Sequence, residues 1–180
     1  MAVVVAAAAL YVRLESSVHG ARPAGALAKL VADPQPKTIP AVAFADAGGR
    51  LHKLSAFRGR HVLLNLWATW CAPCVRELPA LAHLQAAVGS QRLTIVAVNI
   101  GRGTPADTAA FLKAHHADLT VYLDTNSAFL RAFGAYGLPL SVLIDPEGRE
   151  VARAVGAVKW DAPESIVYFR SLAPPARKSS

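Results

Sequence analysis

Two stretches of the chain are apolar almost without interruption, His61 to Trp67 (HVLLNLW) and Leu93 to Ile100 (LTIVAVNI). Runs of this length rich in Val, Ile and Leu suit strands covered on both faces, so they are the expected central strands. Between them Leu78, Leu81, Leu84 and Val88 recur at helical spacing, along a segment that Pro79 should kink. Thr104-Pro105 pairs an N-cap with a proline at the first helical position and predicts a second helix to about His116. Leu119 to Leu123 reads as a third strand and Ser127 to Ala135 as a third helix. Upstream, Ala41 to Ala45 and Arg50 to Leu54 flank Ala47-Gly48-Gly49 and suit a short hairpin. Downstream, Leu140 to Ile144 and Glu150 to Val155 read as a terminal antiparallel hairpin turned by Asp145-Pro146-Glu147-Gly148. Asp161 with Glu164 three residues on predicts a capping box for a last helix ending near Leu172. The predicted order is ββ, β, α, β, α, β, α, β, β, α, an α/β arrangement.

The flanks follow other patterns. Ala2 to Val12 is an uncharged apolar run, followed by Arg13 and Glu15. Eleven residues of helix rise about 16 Å, roughly half a hydrocarbon core, so the run is too short to span a membrane. It has the length of a signal-peptide apolar region, but no Lys or Arg precedes it and the nearest small-x-small site, Ala26-Leu27-Ala28, lies far downstream. Three readings stay open for residues 1–12: the remnant of a membrane anchor, an irregular signal peptide, or an apolar tail packed on the domain. The first two put the rest of the chain outside the cytoplasm. Residues 13–37 hold Gly20, Pro23, Gly25, Pro34 and Pro36 without sustained periodicity and read as a linker. Residues 38–172 are the expected folded domain and 173–180 a disordered tail.

Composition narrows the picture. The chain has 180 residues, enough for one domain. With 53% hydrophobic and 17% charged residues it has the balance of a folded protein. Its net charge is +7, yet the basic residues are scattered and the only adjacent pair is Arg177-Lys178, so no nucleic-acid-binding stripe is visible. The two cysteines, Cys71 and Cys74, exclude a multi-disulfide scaffold and a four-cysteine iron-sulfur or zinc site built from this chain alone.

Those cysteines form Trp70-Cys71-Ala72-Pro73-Cys74, directly after a buried strand and directly before a helix. Unpaired amide N–H groups and the positive end of the macrodipole favour an anion there, so the Cys71 thiolate should be stabilised. Cys71 is the expected nucleophile. Cys74, inside the first turn, is the expected resolving thiol that attacks a mixed disulfide at Cys71. An inert disulfide is the plain alternative, but a two-residue loop gains little chain-entropy stabilisation. Zinc would need two further ligands, and His115 and His116 diverge on a helix while His19, His52, His61 and His83 are isolated. Covalent haem attachment would need His where Val75 stands. No metal and no cofactor is expected.

The segment Asn65 to Pro79 (NLWATWCAPCVRELP), with Gly137-Leu138-Pro139 before a strand, resembles the extracytoplasmic thioredoxin-like family that includes TlpA, ResA and CcmG. The resemblance covers residues 38–172. It implies a thioredoxin fold, a central mixed sheet flanked by helices, with an N-terminal β-hairpin and a βα insertion at Leu93 to His116. It also implies a redox-active Cys71-Cys74 pair and an anchored domain that reduces protein disulfides outside the cytoplasm, with cytochrome c maturation as a setting. Pro139 is implied to be cis and to face the pair, so that the backbone at Leu138 can hold a substrate strand, with Trp70 as a wall beside Cys71. Asn65 stands where similarity to cytoplasmic thioredoxin leads one to expect a buried Asp. An amide cannot take a proton from the second thiol. Glu77, three residues after Cys74 on the same helix face, could do so, and the resemblance gives it that role. Implied partners are apocytochrome c or copper-site protein disulfides and a membrane thiol donor of the DsbD or CcdA type, with the chain itself a monomer.

Other readings weigh less. A DsbA-like oxidant depends on a strongly stabilised reduced form. Ala72-Pro73 offers no charge or side-chain donor to stabilise one. A copper-handling or redox chaperone module could use both thiolates for Cu(I), but Met1 is the only methionine. A peroxidase would need a Pro-x-x-x-Thr/Ser-x-x-Cys pattern that Leu64 to Cys71 does not provide.

Overall fold

The computed structural model describes residues 25–172. They form one eight-stranded sheet with helices against it. The strands are β1 (Val31–Thr38), β2 (Ala43–Asp46), β3 (Leu51–Lys53), β4 (His61–Trp67), β5 (Leu93–Asn99), β6 (Tyr122–Leu123), β7 (Leu140–Ile144) and β8 (Arg149–Val155). The helices are α1 (Ala72–Val88), α2 (Pro105–Ala114), α3 (Ala128–Ala132) and α4 (Pro163–Ser171). The sheet order is β1-β8-β7-β4-β5-β6-β2-β3. β4 pairs parallel with β5 and antiparallel with β7, which makes the sheet mixed.

The apolar runs take the central places expected of them. Every residue of β4 is buried, as are six of the seven in β5. β8, one place from the edge, alternates buried Glu150, Ala152 and Ala154 with more exposed neighbours. α1 packs on β5 and on α4, inserting Leu78, Leu81 and Leu84 into the core. It runs without a break through Pro79 and ends at Gly89, whose φ of +83° favours glycine. At the start of α2 the Thr104 hydroxyl accepts from Asp107 N–H and the Asp107 carboxylate accepts from Thr104 N–H, a complete capping box.

Three expectations need correction. The first is the linker. From residue 25 onward the chain is built into the domain: a 3-10 turn at Gly25–Leu27 packs against α4, Leu27 and Leu30 are buried, and β1 pairs with β8. Pro34 and Pro36 hid this strand. Prolines cannot donate to a ladder, yet an edge tolerates them where the register is interrupted, here between Ala32 and Lys37. Residues 13–24 of that stretch, with 1–12 and 173–180, lie outside the described residues.

The second correction is at α4, where Ala162 is the N-cap and makes no side-chain cap. Glu164 instead accepts a hydrogen bond from Ala26 N–H at 3.2 Å, so it serves the 3-10 turn and not a capping box with Asp161. Third, β6 and α3 are shorter than read. β6 meets β5 only at Val98 and Asn99, and α3 ends at Ala132, two residues before Gly134, whose φ is +59°.

The buried turn before β1 gives a direct test. Leu30→Ala should lower unfolding free energy by about 2–4 kcal/mol in urea titrations, the usual loss for a buried leucine. An unchanged midpoint would mean that this segment is the linker its sequence suggests.

Candidate active site

β4 delivers the site. After Trp67 the chain turns, Cys71 N–H donating to Ala68 C=O at 3.0 Å, and α1 begins at once. Cys71 is the N-cap: its Sγ accepts from Cys74 N–H at 3.3 Å and its carbonyl from Val75 N–H at 3.0 Å. Pro73, with no N–H, occupies the first turn, where the missing donor would have had no helical partner. Cys71 and Cys74 are joined as a disulfide. Cys71 keeps 6% of its surface exposed and Cys74 none. The two sulfurs therefore differ in access, the outer one at the helix tip and the inner one beneath it.

The outer sulfur borders a groove of about 440 Å³ whose walls include Trp70, Pro73, Leu130, Tyr136 and Leu138. No charged residue lines it among the described residues. Trp70 is 70% exposed and Tyr136 fully so, an unusual state for large aromatic rings that no neighbour covers. The Leu138-Pro139 peptide is cis. Leu138 forms part of the groove wall, while the Pro139 carbonyl accepts from Gly156 N–H at 2.8 Å and ties this corner to the end of β8.

Beneath the disulfide lies a buried carboxylate. Glu77, one turn after Cys74, is only 3% exposed. Its Oε1 accepts from Asn65 Nδ2 at 2.8 Å, and its Oε2 accepts from Val158 N–H and Trp160 Nε1, each at 3.1 Å. Asn65 Nδ2 also donates to Ser141 Oγ at 2.9 Å, while Asn65 Oδ1 has no partner among the described residues. Burial pushes the Glu77 carboxyl up to about 7, against the pull of these three donors and of the Lys29 charge. A backbone N–H and an indole N–H can only donate, so both stay on Oε2 in either protonation state. A proton bound by Glu77 therefore goes to Oε1, where Asn65 must yield its donated bond or turn its carbonyl inward. The carboxyl is thus poised to hold and release a proton near neutrality, one helical turn from the inner thiol.

The structure brings Trp70, Cys71 and Leu138 together around the groove and sets Cys74, Glu77 and Asn65 behind them. Pro139 follows Leu138 across the cis peptide and is not itself among the groove walls. Sequence reasoning missed Tyr136, Leu130, Ser141, Val158 and Trp160. Tyr136 could have been suspected as a lone aromatic just before Gly137-Leu138-Pro139. Trp160 carried a weaker signal: a tryptophan in an apolar context needs an acceptor for its indole N–H, and Glu77 lies 83 positions away.

Comparison with known proteins bears on the family and the fold. The Redoxin family profile matches residues 34–168. Thiol-disulfide oxidoreductase ResA of Bacillus subtilis is 36% identical over 135 residues, 74% of this chain and 73% of that protein. A DsbE-type thiol:disulfide interchange protein of Chlorobium tepidum superposes with a TM-score of 0.66 at 31% identity, over 76% of this chain and 97% of its own. The exposed lipoprotein thioredoxin of Streptococcus pneumoniae gives 0.59 at 25% identity, over 73% and 98%.

The buried carboxyl predicts a pH-dependent stability. A folded value of about 7 above the ordinary 4.5 means that the native state holds the proton more tightly than the unfolded chain. The contribution is complete below the unfolded value and is lost as pH rises towards 7. Urea unfolding of the oxidised protein should show stability falling by on the order of 3 kcal/mol across that window, relative to Glu77→Gln. Parallel profiles for the two proteins would mean that Glu77 does not titrate there.

Proposed function

This chain belongs to the Redoxin family and is a ResA-like thiol-disulfide oxidoreductase acting on protein disulfides; from that premise we propose that it works as a reductase, with Cys71 as nucleophile and Cys74 as resolving thiol. The unequal access of the two sulfurs carries this reading. Cys71, at the helix tip beside the groove, is the one a substrate disulfide can reach. Its thiolate attacks one substrate sulfur, the substrate S–S bond breaks, and the departing sulfur leaves as a thiolate that takes a proton. Cys74 then attacks Cys71 Sγ, closes the Cys71-Cys74 disulfide and releases the second substrate sulfur. The substrate gains two electrons and two protons, and the enzyme is left oxidised.

Each thiol has its own electrostatic support. At Cys71 the N-terminal N–H groups of α1 favour the anion, as the bond from Cys74 N–H to Sγ illustrates. Cys74 has no solvent to receive its proton, and Glu77 is the carboxylate placed to accept it. In the groove, Trp70, Leu138 and Tyr136 offer apolar faces, and the backbone at Leu138, beside Pro139, offers hydrogen bonds to an extended substrate segment.

The direction follows from what the motif lacks. Ala72-Pro73 adds no charge and no side-chain donor that would hold the reduced form, so the pair should be a poorer oxidant than a DsbA-like protein. The reading extends to haem-binding cysteines of apocytochrome c or a copper-site disulfide as substrate, and to a DsbD- or CcdA-type membrane donor that restores the dithiol. Work outside the cytoplasm is supported by the likeness to an exposed lipoprotein thioredoxin. Among the described residues no helix is long and apolar enough to cross a membrane.

A Cys74→Ala variant should stall at the mixed disulfide and retain partners that mass spectrometry identifies through Cys71. In the reduced protein, limiting alkylating reagent should label Cys71 first. Preferential labelling of Cys74 would reverse the assigned roles. Equilibration with glutathione should give a potential well below about −120 mV, the DsbA reference. A value near that reference would favour disulfide donation.

A further inference from the structure

The peptide joining Ala157 and Val158 meets a charged group at each end. Its carbonyl oxygen accepts a hydrogen bond from Lys29 Nζ at 3.1 Å, and its N–H donates to Glu77 Oε2 at 3.1 Å. The peptide unit is planar, so a cation held on the oxygen fixes the direction of the N–H. Resonance also couples the two ends: drawing electron density to the oxygen makes the N–H a stronger donor. Gly156 keeps the approach open, since a Cβ there would lie 3.4 Å from Lys29 Nζ and its φ of +84° favours glycine.

We infer that Lys29 is a positioning residue of the redox site, holding the Ala157-Val158 peptide so that its N–H supports the ionised form of Glu77. A surface lysine on a carbonyl is ordinarily worth little. Here the same peptide reaches a buried carboxylate, so the bond is transmitted to the one group whose charge the site depends on. The lysine charge also acts on Glu77 through space in the same sense.

The other groups facing Glu77 do not duplicate this action. Asn65 from β4 and Trp160 from the loop are neutral donors, and Ser141 from β7 reaches the carboxylate only through Asn65. Cys74 precedes it on the same helix. Lys159, in the same loop, acts on Glu164, which holds Ala26 N–H. The inference rests on the reading of Glu77 as the proton holder for Cys74 and deepens it, by making the segment before β1 part of the redox machinery.

The test uses the oxidised protein, whose bonded cysteines do not titrate, with 13C-labelled glutamate and the Glu77 carboxyl resonance assigned by its loss in Glu77→Gln. Lys29→Met and Lys29→Gln should each raise the Glu77 midpoint by roughly half a unit to one unit. Lys29→Arg, which keeps the cation, should stay near the wild-type midpoint. In the reduced protein the pH profile of disulfide reduction should move upward with the Met and Gln variants and be insensitive to Lys29 in a Glu77→Gln background. An unchanged Glu77 midpoint in both neutral variants, or an equal shift in Lys29→Arg, overturns the inference. The carboxyl titration is read without substrate, so loss of the reductase reading would leave this result standing, and the reverse.

Discussion

The arrangement turns on a carboxylate buried where water cannot reach it. An ion in that position is unfavourable unless donors replace its hydration shell. Glu77 draws its three from separate parts of the chain: Asn65 from the strand that delivers the cysteines, and Val158 and Trp160 from the loop after the last strand. α1, β4 and the loop after β8 are thereby fixed on one side chain. The donors do not fully offset the desolvation, which leaves the carboxyl near 7 instead of in the usual acidic range. On the proposed reading, that shortfall is what lets a structural tie also exchange a proton near neutral pH.

The difference between the two sulfurs has an equally local origin. A buried strand that ends and passes at once into a helix puts the first residue after the turn at the helix tip and the residue three further on in its first turn. The apolar run of β4 secures the first condition and Pro73 the second, by starting the helix without wasting a donor. Inequality of Cys71 and Cys74 is therefore written into the spacing, and the groove sits on the side of the more accessible sulfur.

Much of this was legible in the sequence, and the unread part has a common cause. Buried strands and the helix after the cysteines announced themselves because continuous apolar runs and a period near 3.6 are strong local signals. Asn65 and Glu77 could be singled out, but not their direct bond across 12 positions. Trp160, Val158 and Lys29 were invisible as site residues, because each reaches Glu77 or its peptide partner across 81 positions or more. β1 was misread for a different reason: Pro34 and Pro36 weigh against a strand in isolation, and only an edge position beside β8 with an interrupted register accommodates them. Glu164 illustrates the converse error, a correct local motif lost to a distant competitor, the N–H of Ala26.

The groove and the buried carboxylate divide the chemistry between them. With no charged residue among its described walls, the groove would, on the proposed reading, select a partner through shape, apolar contact and backbone hydrogen bonds and not through a charge pattern. Ala72-Pro73 likewise contributes no side-chain charge to the thiol pair. On the proposed reductase reading, electrostatic control is then left to two devices, the N-terminus of α1 at Cys71 and the carboxyl of Glu77 one helical turn after Cys74. Because they address different sulfurs, the reactivity of the outer thiol and the proton affinity beside the inner one can be adjusted independently, the first from the helix terminus and the second from the donors around Glu77.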